Sequence, residues 1–372
     1  MLTRQGDPHT YCVECSTALE PWEGQAGARE YRFAAREVGE ALVAVARGSS
    51  YQVAAEAARR HAGRLPATEK PQAQEWRRRD PARDGQVVAN WVDVFSGLVC
   101  AGELPDQWPE VLLIDSMNFR IRTGDRSGRG FHVFAAVGWE PAEAGKRAPT
   151  PVLWRLSAFP HKDQPSWQEF FGGLPGAPCV VVSDADRAIT AAVETAFAAS
   201  PPELRMCEWH LGRKLRDHLP DQILADRTHP ITRALATALH TPQTWATLDR
   251  AIRDEHACGE HRPLTLAIKW LETYGPKIES QTATREPDRP NSTGPVEKVL
   301  REINHRLGDR IGSFTNQTRM VKLLALMTLD IRGTADAREW ADRLRERLYL
   351  TGGRPTNQRP HDDPKGTYSL IS

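Results

Sequence analysis

The spacing of apolar positions changes several times along this chain, and each change marks a region. In YRFAAREVGEALVAVARG (31–48), Phe33, Val38, Ala41, Leu42 and Val45 recur at helical intervals, and Gly48 ends the pattern. SSYQVAAEAARRHAG (49–63) supplies an N-cap serine and a second helix. Two helices joined by a Gly-containing turn suit a helix-turn-helix, with a plain helical hairpin in some other core as the alternative. Residues 64–84 are charged and Pro-rich and read as a linker, and a helix follows at 85–101.

The period then shortens. VLLIDSMNFRIR (111–122), GFHVFAAVGW (130–139) and PVLWRLSAF (151–159) read as strands. SWQEFFGGL (166–174) reads as a helix, CVVVSD (179–184) as a buried fourth strand, and ADRAITAAVETAFAAS (185–200) as an Ala-rich helix. LRMCEWH (204–210) reads as a fifth strand, so the predicted order is β-β-β-α-β-α-β. About 65 helical residues follow, with Leu235, Leu239, Trp245, Leu248 and Ile252 at helical spacing, then a polar break at 280–295. VEKVLREINHRLGDR (296–310) is an amphipathic helix with the apolar stripe Val296, Val299, Leu300, Ile303 and Leu307. Two more helices are predicted at 318–331 and 335–349, and the end from Thr351 reads as disordered.

Length and composition narrow the class. The 372 residues are enough for two or three domains, and no run of about 18 apolar residues suggests a membrane span. No apolar signal region opens the chain, and six scattered cysteines read as reduced cytosolic thiols. The formal charge of +1 leaves any nucleic-acid contact to local patches such as WRRRDPAR (76–83), which also reads as a solvated face.

Three acids stand out against this pattern. Asp115 interrupts an apolar strand, where an unpaired carboxylate requires a cation or strong donors. Asp184 ends the buried fourth strand; a plain alternative is a cap on the helix starting at Ala185. Glu297 falls in the first turn of the amphipathic helix, where it also suits the helix dipole as an N3 residue. Asp186 is either a further sheet-edge ligand or a first-turn helix acid. Three hard oxygen ligands around one point would form a site for magnesium or manganese, with two ions clamping a phosphodiester.

IDSMNFRIR, SWQEFFGGLPGAPCVVVSDADRAITAAVE, CEWHLGRKL and NSTGPVEKVLREINHRLGDRIGSFTNQTR together resemble the Mutator-like transposases of DNA transposons and bacterial insertion sequences, over roughly residues 105–330. The resemblance implies an α/β fold of the ribonuclease-H-like kind: a mixed sheet flanked by helices, with an all-helical insertion. It implies a DDE triad of Asp115, Asp184 and Glu297 holding two Mg2+ or Mn2+ ions. It makes Cys207 and His210 the C-x2-H signature, with His210 an active-site neighbour rather than a zinc ligand. The implied partners are transposon terminal repeats and target DNA, and a second copy of the chain in a synaptic complex. The implied place is the bacterial cytoplasm, at the nucleoid. An inactive DNA-binding descendant, or a nuclease that cuts without strand transfer, fits the same motifs.

The expected organisation is a zinc-ribbon-like remnant at 1–22 carrying Cys12 and Cys15, and a helix-turn-helix-like region with linker at 23–84. The catalytic domain occupies 85–210 and 291–350, split by an insertion at 211–290, and a tail covers 351–372. Ser49, Tyr51, Arg59, Arg60 and Arg301 are the expected DNA contacts.

Overall fold

The computed structural model describes residues 11–12, 17–18, 35–61, 85–120, 130–140, 150–258, 264–286, 289–308 and 317–350. The expected linker, the tail and the side chains of Cys12 and Cys15 lie outside the described residues. Near the start, β1 (Tyr11–Cys12) and β2 (Thr17–Ala18) pair antiparallel. The main sheet is built from β3 (Val111–Arg120), β4 (Gly130–Glu140), β5 (Thr150–Phe159), β6 (Val180–Ser183) and β7 (Glu203–Met206), in the order β5-β4-β3-β6-β7. The first three strands form an antiparallel meander, and β6 and β7 add in parallel. The protein is thus an α/β fold with a five-stranded mixed sheet flanked by helices.

Alternation along the strands divides the core in two. Val111 and Leu113 of β3, with Val133, Ala135, Val137, Val180 and Val182, face one helical layer. That layer contains α1 (Ala35–Ala46), α2 (Tyr51–His61), α3 (Gly85–Cys100), α11 (Gly294–Gly308), α12 (Gln317–Ile331) and α13 (Ala337–Leu350). Leu112, Ile114, Phe134 and Val181 face the other way, onto Trp167, Phe170 and Phe171 of α4 (Gln164–Phe171) and Ile189 and Val193 of α5 (Arg187–Ala196).

α1 and α2 bury their apolar faces in the first of these cores, together with α3, α12 and α13. The hairpin is therefore an integral layer of the sheet domain. Its turn follows from Gly48 at φ 106°: Ser49 N–H donates to Ala44 and Gly48 N–H to Val45, which satisfies the last carbonyls of α1. Ser50 rather than Ser49 caps α2, accepting from Val53 N–H at 3.2 Å. Tyr51 is half-buried against α3, and a Cβ added at Gly85 would come within 2.8 Å of its own Cβ. Arg59 and Arg60 lie in the last turns of α2.

The insertion contains α6 (Glu208–Arg216), α7 (Asp221–Ala225), α8 (Pro230–Leu235), α9 (Pro242–Ala257) and α10 (Leu264–Ala283) around its own core of Leu211, Leu215, Trp245, Leu248, Ile252 and Trp270. Two expectations are corrected here. The fifth strand stops at Met206, and Cys207 N-caps α6, so His210 sits on a helix. Residues 280–283, expected in the polar break, continue α10. They do so because Gln281 docks on the sheet: its Oε1 accepts from Met206 N–H at 2.9 Å and its Nε2 donates to Met206 C=O at 2.8 Å. Beside it, the buried Arg205 guanidinium donates to Thr284 C=O at 2.7 Å. At the opposite edge, Gln317 donates to Ala158 C=O and Arg332 to Leu153 C=O, both at 2.8 Å.

Gln281→Ala is expected to destabilise the protein by about 1–3 kcal/mol, since both backbone groups of Met206 lose their partners. Hydrogen exchange at Met206 N–H should accelerate in the same variant. An unchanged unfolding midpoint with unchanged exchange would contradict this docking role.

Candidate active site

The parallel strands bring the site together at their C-terminal ends. Leu113 pairs with Val182 at the end of the β3–β6 register, and Asp115 and Asp184 each follow that pair by two residues. Neighbouring strands lie about 4.8 Å apart. Cys207 extends β7 alongside, donating its N–H to Ser183 C=O at 2.8 Å. Asp184 and Cys207 thus directly follow β6 and β7, while Asp115 lies midway along the neighbouring β3.

α11 closes the cluster from above the sheet. Its apolar stripe forms as the sequence predicts: Val296, Leu300, Ile303 and Leu307 are buried and Val299 packs against them. Thr293 precedes the helix, so Glu297 is its fourth residue rather than N3, and the Thr293 hydroxyl lies 3.3 Å from Glu297 Oε1. Glu297 Oε1 is 4.0 Å from His210 Nε2. His210 also senses the charges of Asp115 and Asp184.

Asp184 does not cap α5, because another residue does. Asp186 Oδ1 accepts from Ala188 N–H at 2.8 Å, and its second oxygen lies 3.2 Å from Lys162 Nζ. Asp186 is thus a helix acid. Asp184 instead accepts from Lys214 Nζ at 2.8 Å.

Burial dominates the electrostatics. It pushes the Asp115 carboxyl above the ordinary carboxylate range, against the opposing pull of Ser116 N–H at 2.7 Å and the charges of His210 and Lys162. Burial also raises Asp184, but the hydrogen bond and charge of Lys214, with His210 and Lys162, outweigh it and leave this carboxyl below its usual value. His210 is raised, chiefly by its hydrogen bond with Cys207, against its burial. Two neighbouring carboxylates are thus pushed in opposite directions, as in sites that separate proton affinities.

Lys214→Met should move the Asp184 carboxyl upward, since burial then acts with less opposition. The depressed carboxyl supports the fold above the unfolded aspartate value, and that support fades as pH falls through the folded value. The pair is partly solvated, so the stability difference should stay within about 1 kcal/mol and vanish on acidification. Carbon-detected NMR titration of the carboxyl checks the direction; an unmoved or lower value would refute the assignment.

Two further side-chain groups lie on the helices that carry His210 and Glu297. α6 presents His210 and Lys214 towards the site, Leu211 and Leu215 towards the insertion core, and Trp209, Arg213 and Arg216 along a third stripe. Trp209 is 50% exposed, with the Arg213 guanidinium 5.4 Å from its ring centroid. This stripe lines a groove of about 440 Å³ closed by Leu235, Leu239 and His240. On α11, Lys298, Arg301 and His305 form an exposed basic row that starts beside Glu297.

The structure thus brings Cys207, His210 and Glu297 together, with Asp115 and Asp184 within electrostatic reach of His210, and leaves Arg301 exposed on α11. Ser49 and Tyr51 belong to the α1–α2 turn and its packing. Lys162, Lys214 and Thr293 are additional members that sequence reasoning missed. Lys214 had a readable signal, being four residues after His210 and so on the same helical face.

Cys207, His210 and Glu297 each offer a ligand atom within 4.8 Å of the others. Among the described residues no helix is long and apolar enough to cross a membrane. No protein-family model matches the chain, and no curated protein matches it.

Proposed function

We propose that this chain is a DDE-type DNA transposase with a ribonuclease-H-like core, related to the Mutator-like enzymes. The reading is carried by His210, whose Nε2 lies 4.0 Å from Glu297 Oε1 and which also senses the charges of Asp115 on β3 and Asp184 after β6. The strand order, with its antiparallel meander and two parallel additions, supports the same fold.

The donor set suits hard divalent cations: carboxylates from three rigid elements, with a lysine ammonium already drawn to one of them at 2.8 Å. Asp115, Asp184 and Glu297 would hold two magnesium or manganese ions. When bound, these would supply Lewis acidity at the reacting phosphodiester. In the proposed hydrolysis, water adds to phosphorus, the bond to the 3′ oxygen breaks, and that oxygen leaves as a hydroxyl. In strand transfer the same hydroxyl adds to a phosphodiester of a second duplex and displaces its 3′ oxygen.

The chain's own residues position the DNA. Lys162 and Lys214 add positive charge at the carboxylate cluster, where phosphate must approach. His210 Nε2, when protonated, is placed to donate to a phosphate oxygen. Lys298, Arg301 and His305 would follow the backbone leaving the site. The Trp209–Arg213 stripe offers an unpaired base a stacking surface.

The test is cleavage of duplexes taken from either side of the coding region, with magnesium or manganese. Metal-dependent nicks with 3′ hydroxyl ends, absent in Asp184→Asn and Glu297→Gln, are expected. Joining of those ends to a second duplex distinguishes a transposase from a nuclease. Binding without cleavage favours the inactive descendant, and cleavage that survives both substitutions rejects the proposed triad.

A further inference from the structure

We propose that Cys207, His210 and Glu297 form a site for one borderline-soft divalent cation of the zinc class, sharing Glu297 with the carboxylate cluster. C-x2-H alone supplies only two ligands, too few for a tetrahedral zinc site. The fold supplies a third. The three ligand atoms lie within 4.8 Å of one another. A tetrahedral zinc site needs ligand atoms about 3.5 Å apart, so small side-chain rotations close the triangle.

The donor chemistry decides the class of ion. One sulfur, one imidazole nitrogen and one carboxylate oxygen match zinc and its neighbours, whereas magnesium selects oxygen alone. With three protein ligands, the fourth position stays open to water.

The surroundings hold these ligands in place. Cys207 caps α6 and Glu297 lies in the first turn of α11, so two helix N-termini converge on the anionic donors. The two starts are tied together: Glu208 N–H donates to Asn291 C=O at 2.9 Å, and Thr293 N–H to Cys207 Sγ at 3.3 Å. The buried Thr293 hydroxyl sits 3.3 Å from Cys207 Sγ, 3.4 Å from His210 Nδ1 and 3.3 Å from Glu297 Oε1. The hydroxyl carries one proton and can donate to only one of these three atoms at a time, so it holds them around one point without satisfying them all. Cys207 is fully buried, while the side chains of His210 and Glu297 are 19% and 28% exposed, so the ion enters from their side.

The site does not depend on the transposase reading. Where that reading holds, an ion here takes Glu297 from the hard-metal cluster, and zinc slows magnesium-supported cleavage.

Cobalt(II), added to the reduced full chain without DNA, is the probe. One equivalent should give a thiolate-to-cobalt charge-transfer band and the strong visible bands of four-coordinate cobalt. Because Cys12 and Cys15 are competing thiols, the spectrum must persist in Cys12→Ser/Cys15→Ser and disappear in Cys207→Ser. Loss in the first variant, or persistence in the second, overturns the proposal. His210→Gln changes a partly exposed side chain and serves if Cys207→Ser fails to fold. It should weaken cobalt binding by more than about tenfold, and unchanged affinity overturns the proposal equally. Failure of DNA cleavage leaves these spectra unaffected, and failure of the spectra leaves the transposase reading intact.

Discussion

Asp115→Asn should lose metal-dependent cleavage by at least about a thousandfold, a few kcal/mol of transition-state stabilisation, and should melt at a higher temperature than the unsubstituted protein at neutral pH. Both effects have one cause. Asp115 lies in the middle of β3, 9% exposed, opposite Ala135 and flanked on its own face by Leu113 and Met117. Burial raises its carboxyl more than Ser116 N–H, His210 and Lys162 lower it. A carboxyl raised in the folded state contributes its full stability below the unfolded value and loses it as pH rises through the folded one. At neutral pH the ionised group therefore weighs against folding, and the neutral amide does not. The advantage of the variant should shrink towards about pH 4, where the unfolded carboxyl also protonates. Thermal melts at both pH values, beside cleavage assays, check it. A variant that melts lower at neutral pH would mean that Asp115 stabilises the fold, and its lost activity would then carry no catalytic meaning.

The largest loss of stability is expected from Trp167→Ala. Trp167 is fully buried behind the sheet, stacked on Phe134 at 3.9 Å and packed against Phe170 and Phe171. Truncating such a side chain leaves a hole that its neighbours fill only in part, which costs about 3–5 kcal/mol. Among the described residues its indole N–H has no partner, so removing it relieves a small penalty and favours the lower end of that range. The urea midpoint should fall by roughly 1–2 M. Trp209→Ala, at a half-exposed position, should stay within about 0.5 kcal/mol. Similar losses for the two tryptophans would refute this division between core and surface.

The contrast between these residues indicates what the sequence discloses. Strand alternation and buried runs were readable, so the order β-β-β-α-β-α-β and the places of Asp115 and Asp184 could be inferred. The extent of β7 could not. Leu204 and Met206 alternate like a strand and continue smoothly into Cys-Glu-Trp-His, while the helical spacing of Cys207, Leu211 and Leu215 competes with that reading. For α1 and α2, periodicity revealed a buried face but not its partner, so it could not separate a helix-turn-helix from a hairpin packed into another core. Lys162 and Thr293 come from a loop and a helix start remote in sequence from the acids. Only the closed fold brings them to the cluster.

Gln281 and Arg205 at one margin of the sheet, and Gln317 and Arg332 at the other, have a consequence for assembly. Outermost strands normally invite a neighbouring chain to add its own strand, which leads to runaway polymers as readily as to dimers. Here side chains of the same molecule already occupy backbone positions at both margins. Copies of the chain that associate would therefore join through helical surfaces, and the sheet would keep its width whatever the number of subunits.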